Sequence, residues 1–141
     1  MIEYVQEWKY LGCLIRTGKN LLFSHRNDIS AFRRSANSVV RCFRKPNEQV
    51  LMKLLYTFSM PILTYACEVK YFSCSEMHEC HVTMNDAIRR IFSFNRWESI
   101  RHLRDSLGYR DIYTIFSQRK SRFLHRFWLI DNCVLHSFLN C

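Results

Sequence analysis

The chain has 141 residues, of which 48% are apolar and 15% aromatic, with a formal net charge of +9 and only three glycines and two prolines. That composition excludes a disordered or loop-dominated chain and supplies the core of one domain. The longest uncharged stretch, Leu54 to Cys67, contains Pro61 and falls short of the roughly 20 residues a membrane helix needs, so no membrane partner is expected.

Seven cysteines, an odd number with no Cys-x-x-Cys spacing, make a poor disulfide framework and fit a reducing, intracellular compartment, with nucleus and cytoplasm both open. The charge is uneven. Residues 26–45 and 89–126 are basic and residues 46–88 acidic, and 15 of the 21 basic side chains are arginine. The planar guanidinium fork suits phosphate, which makes nucleic acid the first partner to consider; a solvated basic face is the alternative.

In chain order, residues 2–16 read as strand, through Ile2, Tyr4, Trp8, Tyr10, Leu11, Leu14 and Ile15, with Gly12 as punctuation. Residues 17–27 read as a loop. A first helix is expected from Asn27 or Asp28, either able to cap it, with Ile29, Phe32, Ala36, Val39, Val40 and Phe43 on one face. Lys45-Pro46-Asn47 ends it. Asn47 caps a second helix carrying Val50, Leu51, Leu54, Leu55 and Phe58, which Pro61 should kink or break.

Ser73 followed by Glu76 is a capping-box pattern opening a third helix with the stripe Met77, His81, Met84, Ile88, Ile91 and Phe92. A short fourth helix holds Ile100, Leu103 and Leu107 and stops at Gly108. Asp111 caps a fifth, with Ile112, Ile115, Phe116, Phe123 and Phe127. The fold class expected is mainly α, a short N-terminal β-hairpin followed by about five helices. It divides into a hairpin and loop over 1–26, a helical domain over 27–131 and a tail over 132–141.

Several of these residues, taken in order, form a pattern. Val5, Trp8, Lys9, Tyr10, Leu11, Gly12 and Ile15 come first, then Asp28-Ile29 with Ala36. Lys53, Tyr56, Pro61, Tyr65, Cys67 and Glu68 follow. After them come Asn85-Asp86, Arg89-Arg90, Ile91-Phe92, Arg96-Trp97 and Ser99, and finally Ile112, Arg119, Lys120, Phe123 and Asn132. Over about residues 1–132 this pattern resembles the C-terminal region of reverse transcriptases from retrotransposons without long terminal repeats (LINE type): the primer-grip hairpin and the helical thumb. Departures are Phe32-Arg33, where the family tends to have Arg then Ile; Ala66, where Gly is usual; and Lys70, where Trp is common.

The resemblance implies a truncated piece of an RNA-directed DNA polymerase. The family's palm holds two Mg²⁺ ions with an aromatic-x-Asp-Asp turn and an upstream Asp, but this sequence has no Asp-Asp pair. Two-metal phosphoryl transfer needs bridging carboxylates. The chain is therefore expected not to be an enzyme by itself, with no catalytic residue and no cofactor of its own. Its expected partners are an RNA/DNA primer–template duplex and the missing palm domain.

The resemblance also marks the residues expected to touch nucleic acid. Trp8 and Tyr10 offer flat faces for a sugar or base, though the core is the more expected place for Trp8. Gly12 permits close backbone approach. Arg33, Arg34, Arg41 and Lys45 would face phosphates from the first thumb helix, and Arg119, Lys120 and Arg122, with Arg126, from the last. Arg89, Arg90, Arg96, Arg101 and Arg104 form a further basic cluster. Tyr65 and Glu68 read as structural, Glu68 needing an arginine from a neighbouring helix.

The alternative reading is an independent basic helical nucleic-acid-binding or interaction module, without a helix-turn-helix signature. Metal sites read as incomplete. Cys74, His78 and His81 share a helical face with Cys67 and Cys80 nearby, but Cys74 falls at the helix start. Cys133, His136 and Cys141 form only half of a zinc knuckle.

Overall fold

A computed structural model describes residues 6–17, 22–42 and 47–129 of the chain. Its architecture is mainly helical, with a small antiparallel sheet at the N-terminal end. Strands β1 (Glu7–Tyr10), β2 (Cys13–Arg16) and β3 (Leu22–Ser24) lie side by side in that order. Trp8 pairs with Ile15, and Ile15 with Phe23. The first hairpin turns on two residues, Leu11 at φ 45° and Gly12 at φ 79°. Two successive positive φ values match the right-handed twist of the flanking strands. β3 falls in the segment read as loop. Its residues Leu-Phe-Ser are too few to show alternation, and pairing with β2 is what makes them a strand.

Helix α1 (Arg26–Arg41) follows β3 directly, two or three residues earlier than the Asn27 or Asp28 caps suggest. His25 takes the cap position, held by its own packing: its ring is buried and stacks on Phe72 with centroids 3.9 Å apart. Ile29, Phe32 and Ala36 are buried as the spacing requires, with Val39 and Val40 packed beside them. Phe43 and Lys45-Pro46 lie outside the described residues. Asn47 caps α2 (Glu48–Leu54), its Oδ1 accepting from the Gln49 N–H at 2.8 Å.

Pro61 does not break the rod. Helix α2 runs through a wide π turn (Leu55–Ser59) into α3 (Met60–Thr64). The Met60 N–H bonds five residues back to the Leu55 carbonyl, and Pro61 sits in the first turn of α3, where no donor is needed. The looser winding accommodates a ring that an α-turn would drive against the carbonyl four residues back. Two residues assigned to the apolar face, Val50 and Phe58, are exposed.

The capping box of α4 (Cys74–Ile91) is present in both directions. Ser73 Oγ accepts from the Glu76 N–H at 3.3 Å, and Glu76 Oε2 accepts from the Ser73 N–H at 2.9 Å. Helix α5 (Arg101–Ser106) is followed by Gly108 at φ 72°, the expected stop. Helix α6 (Ile112–Leu129) buries Ile112 and Phe116. Beyond Lys120 it leaves the bundle: Arg122, Phe123, Leu124, Trp128 and Leu129 are exposed, so the apolar face read through Phe123 and Phe127 serves the core only in its first half. One core cluster, centred on Phe32, Met52, Leu55, Met84, Ile88, Ile112 and Phe116, joins α1, the α2–α3 rod, α4 and α6. Among the described residues, no helix is long and apolar enough to cross a membrane.

Candidate nucleic-acid interface

The β1–β2 hairpin presents its aromatic side chains to solvent. Trp8 is 63% exposed and Tyr10 59%, so Trp8 is not a core residue. The strand that carries them is exposed along its whole length and meets the body of the protein through the turn. There the Tyr65 hydroxyl donates to the Leu11 carbonyl at 2.8 Å, and the Tyr65 ring lies over Gly12. A Cβ at Gly12 would come within 3.3 Å of Tyr65 Cε1. The close approach that Gly12 permits is therefore used by a neighbouring aromatic ring.

Tyr65 is positioned by a tight turn after α3. Ala66 stands at φ 53°, and its carbonyl accepts from the N–H groups of Val69 and Lys70 at 3.2 and 3.0 Å. This is the left-handed region, which glycine enters freely and alanine does not. Lys70 then turns inward. It is buried, its Nζ donates to Asp28 Oδ2 at 2.7 Å, and it lies 5.7 Å from the centre of the Tyr65 ring. The start of α1 and the turn beneath the hairpin are thereby locked together.

The arginines divide into committed and free. Arg33 donates to Thr83 Oγ1 at 3.1 Å and lies 3.5 Å from Glu79, which ties it to α4. Arg34 and Arg41 are exposed on the outer side of α1; Lys45 is outside the described residues. Arg119 donates to Glu68 at 3.4 Å and to the Thr64 carbonyl at 3.3 Å, supplying the half-buried Glu68 with its partner from another helix. Lys120 is half-buried. Arg122 is exposed and lines, with Arg119 and Arg126, a shallow depression beside Ala66 and Val69.

In the further basic cluster, Arg89 is held by Asp86 at 2.9 Å and the Glu98 carbonyl at 3.1 Å, and Arg90 by Asn37 at 2.6 Å. Arg104 is buried against Asp111, whereas Arg96 and Arg101 are exposed. A sequence does not separate these two groups readily: only Asp86 lies within helical reach of its arginine, and the partners of Arg90 and Arg104 come from α1 and from the residue before α6.

The cysteines and histidines of α4 do not converge on an ion. Cys67 and Cys80 are core residues and Cys74 is exposed. Burial pushes the Cys67 thiol up to about 11, with the Glu68 charge adding to it, and the Cys80 thiol up to about 12. Among the described residues, no group of three or more histidine, cysteine or carboxylate side chains is arranged to hold a metal. Comparison of the chain with known protein families, with curated proteins and with solved structures gave no match.

Proposed function

We propose that the chain is the hairpin-and-thumb piece of a LINE-type reverse transcriptase and that it holds an RNA/DNA primer–template duplex through its backbone, without polymerising. The observation that carries this reading is the contact between two segments of the resemblance that lie 54 residues apart. Tyr65 grips Leu11 and Gly12, and the hairpin is thereby fixed with Trp8 and Tyr10 turned outward. A second observation supports it. Ala66, where the family usually has glycine, adopts the positive φ that glycine serves.

The division of labour follows from the side chains. Trp8 and Tyr10 pack against the sugar or base at a strand end. Arg34, Arg41 and Arg122 attract phosphates without reading sequence. Exposed Leu11, Val69 and Tyr71 suit an apolar partner surface, in keeping with the palm as second partner.

The test is anisotropy of a labelled RNA–DNA hybrid titrated with the chain between roughly 50 and 200 mM salt. Two unrelated sequences should bind alike, with affinity falling log-linearly in salt. Arg34→Ala should lower the salt slope by about 1, as should Arg41→Ala. Trp8→Ala with Tyr10→Ala should weaken binding about tenfold or more, since stacking is worth about 1–3 kcal/mol per base. Strong preference for one sequence would favour an independent recognition module, and absence of binding would overturn both readings.

A further inference from the structure

A depression of about 710 Å³ opens between α4, α5 and α6. Four guanidinium groups line it: Arg89, Arg101, Arg104 and Arg110. The carboxylates beside them are Asp105 and Asp111, and Asp111 is already occupied, since its Oδ1 accepts from Arg104 Nη1 at 2.9 Å and lies 3.3 Å from His81 Nε2. The surplus of positive charge therefore faces the opening.

The lining contains two buried polar atoms without a partner among the described residues, Arg104 Nε and Asn85 Oδ1. Arg104 is only 8% exposed, and its Nε stands 3.8 Å from Asp105, beyond hydrogen-bond reach. Buried polar groups are nearly always paired, and a buried guanidinium N–H left open is a donor awaiting an acceptor. Asn85 Oδ1 needs the opposite, a hydroxyl or amine donor. Its amide nitrogen already faces His81 at 3.1 Å. Two more arginines stand at the mouth: Arg101 is exposed, and Arg110 is exposed with its Nη1 turned to Gln118. Arg101 Nε lies 4.0 Å from Asp105 Oδ2, and both arginines are exposed enough to turn onto an anion.

We propose that this depression binds a nucleotide through its phosphate monoester. The arginines supply charge-assisted, bidentate hydrogen bonds to an oxyanion that carries between one and two negative charges near neutral pH. The volume lies in the range of whole organic ligands. The open acceptor on Asn85 calls for a ligand that also donates, as a sugar hydroxyl or base amine does. The same chemistry is offered by a free nucleoside monophosphate and by the 5′-phosphate of a nucleic-acid strand. The site uses none of Trp8, Tyr10, Arg34, Arg41 and Arg122, to which the proposed function gives the duplex, and it stands whether or not duplex binding does.

Calorimetric titration of the whole chain with inorganic phosphate, with AMP and with a 5′-phosphorylated decanucleotide tests it. AMP should bind saturably and more tightly than inorganic phosphate. The Arg101→Ala/Arg110→Ala variant, altered only at exposed side chains, should melt like the parent and bind AMP about tenfold or more weakly, the loss of one or two charge-assisted hydrogen bonds. Arg34→Ala/Arg41→Ala should leave the AMP titration unchanged. A decanucleotide that binds as well as AMP marks the site as open to strand ends; one that fails while AMP binds marks it as a free-nucleotide site. The proposal is overturned if neither AMP nor the decanucleotide saturates, if the Arg101/Arg110 variant binds as the parent does, or if both double variants weaken binding equally.

Discussion

Lys70 and Asp28 form an ion pair of 2.7 Å in which the partners are unequally shielded: the lysine side chain is 1% exposed and the aspartate 22%. Removing either partner therefore has different consequences. Asp28→Ala strands a buried ammonium and should cost about 3 kcal/mol. Lys70→Met fills the same space with an apolar chain and leaves Asp28 near water, so it should cost less. Urea unfolding of the two variants measures this, and equal losses would show that the lysine is not the sequestered member.

The two positive-φ positions on either side of the hairpin contact should respond in opposite directions. Gly12→Ala forces a side chain into a left-handed backbone and against the Tyr65 ring, with an expected loss of about 1–2 kcal/mol. Ala66→Gly relieves the same kind of strain, offset by the greater chain entropy of glycine, and should gain about 0.5–1 kcal/mol. Hydrogen exchange over residues 7–16 should quicken in the first variant and not in the second. A stabilising Gly12→Ala would contradict the geometry.

The thiols should separate by reactivity. At pH 8 the fraction of Cys67 ionised is about one in a thousand for a thiol at about 11, and that of Cys80 is smaller still. Both are also buried, whereas Cys42 and Cys74 are exposed. Iodoacetamide labelling of the native chain, mapped by peptide mass spectrometry, should mark Cys42 and Cys74 and spare Cys67 and Cys80. Rapid labelling of Cys80 would mean that the α4 packing opens readily.

Acid should loosen the start of α4. Burial of Glu76 opposes its ionisation, but the Ser73 N–H and hydroxyl, both hydrogen-bonded to its carboxylate, outweigh burial and hold its pKa below the ordinary 4.5. A carboxyl depressed by folding contributes stability that is fully present above its unfolded value and is lost as pH falls through the folded one. Stability measured from pH 6 down to pH 3 should therefore decline below about 4.5 more steeply in the parent than in Ser73→Ala, which should itself lose about 1 kcal/mol at pH 7 as a lost cap. Parallel curves would remove Glu76 from the account.

These contacts show which parts of the fold were legible in the residues alone. The capping box at Ser73 and the stop at Gly108 are local, spanning three or four positions, and a sequence displays them directly. The apolar faces of α1 and α4 repeat often enough to survive noise. Glu68 announced its need for a distant arginine because an isolated half-buried carboxylate is untenable, and Arg119 fills that place. By contrast, the exposure of Trp8 depends on which side of a small sheet the body of the protein covers. The fates of Arg33, Arg104 and Arg119 depend on carboxylates brought from elsewhere in the fold: Glu79 on α4, Asp111 before α6 and Glu68 in the turn after α3. No spacing along the chain encodes either.

The wide turn at Leu55–Ser59 has a consequence for how the chain tolerates change in length. Buried positions run Leu51 and Met52, Leu55, Ser59 and Met60, Leu63 and Thr64, then Cys67, so one face stays inward across the turn. The turn is one residue of slack wound into the rod, and it keeps α2 and α3 presenting the same face to the core. A single deletion there would be absorbed by even winding, whereas a deletion within α2 or α3, which hold no slack, would turn everything beyond it by roughly 100°, given 3.6 residues per turn. A deletion within α3 would take Leu63 out of the core and carry Tyr65 away from Leu11. The grip on the hairpin, made by Tyr65 six residues beyond the turn and Leu11 more than forty before it, thus tolerates a change of length at the turn and nowhere else along the rod.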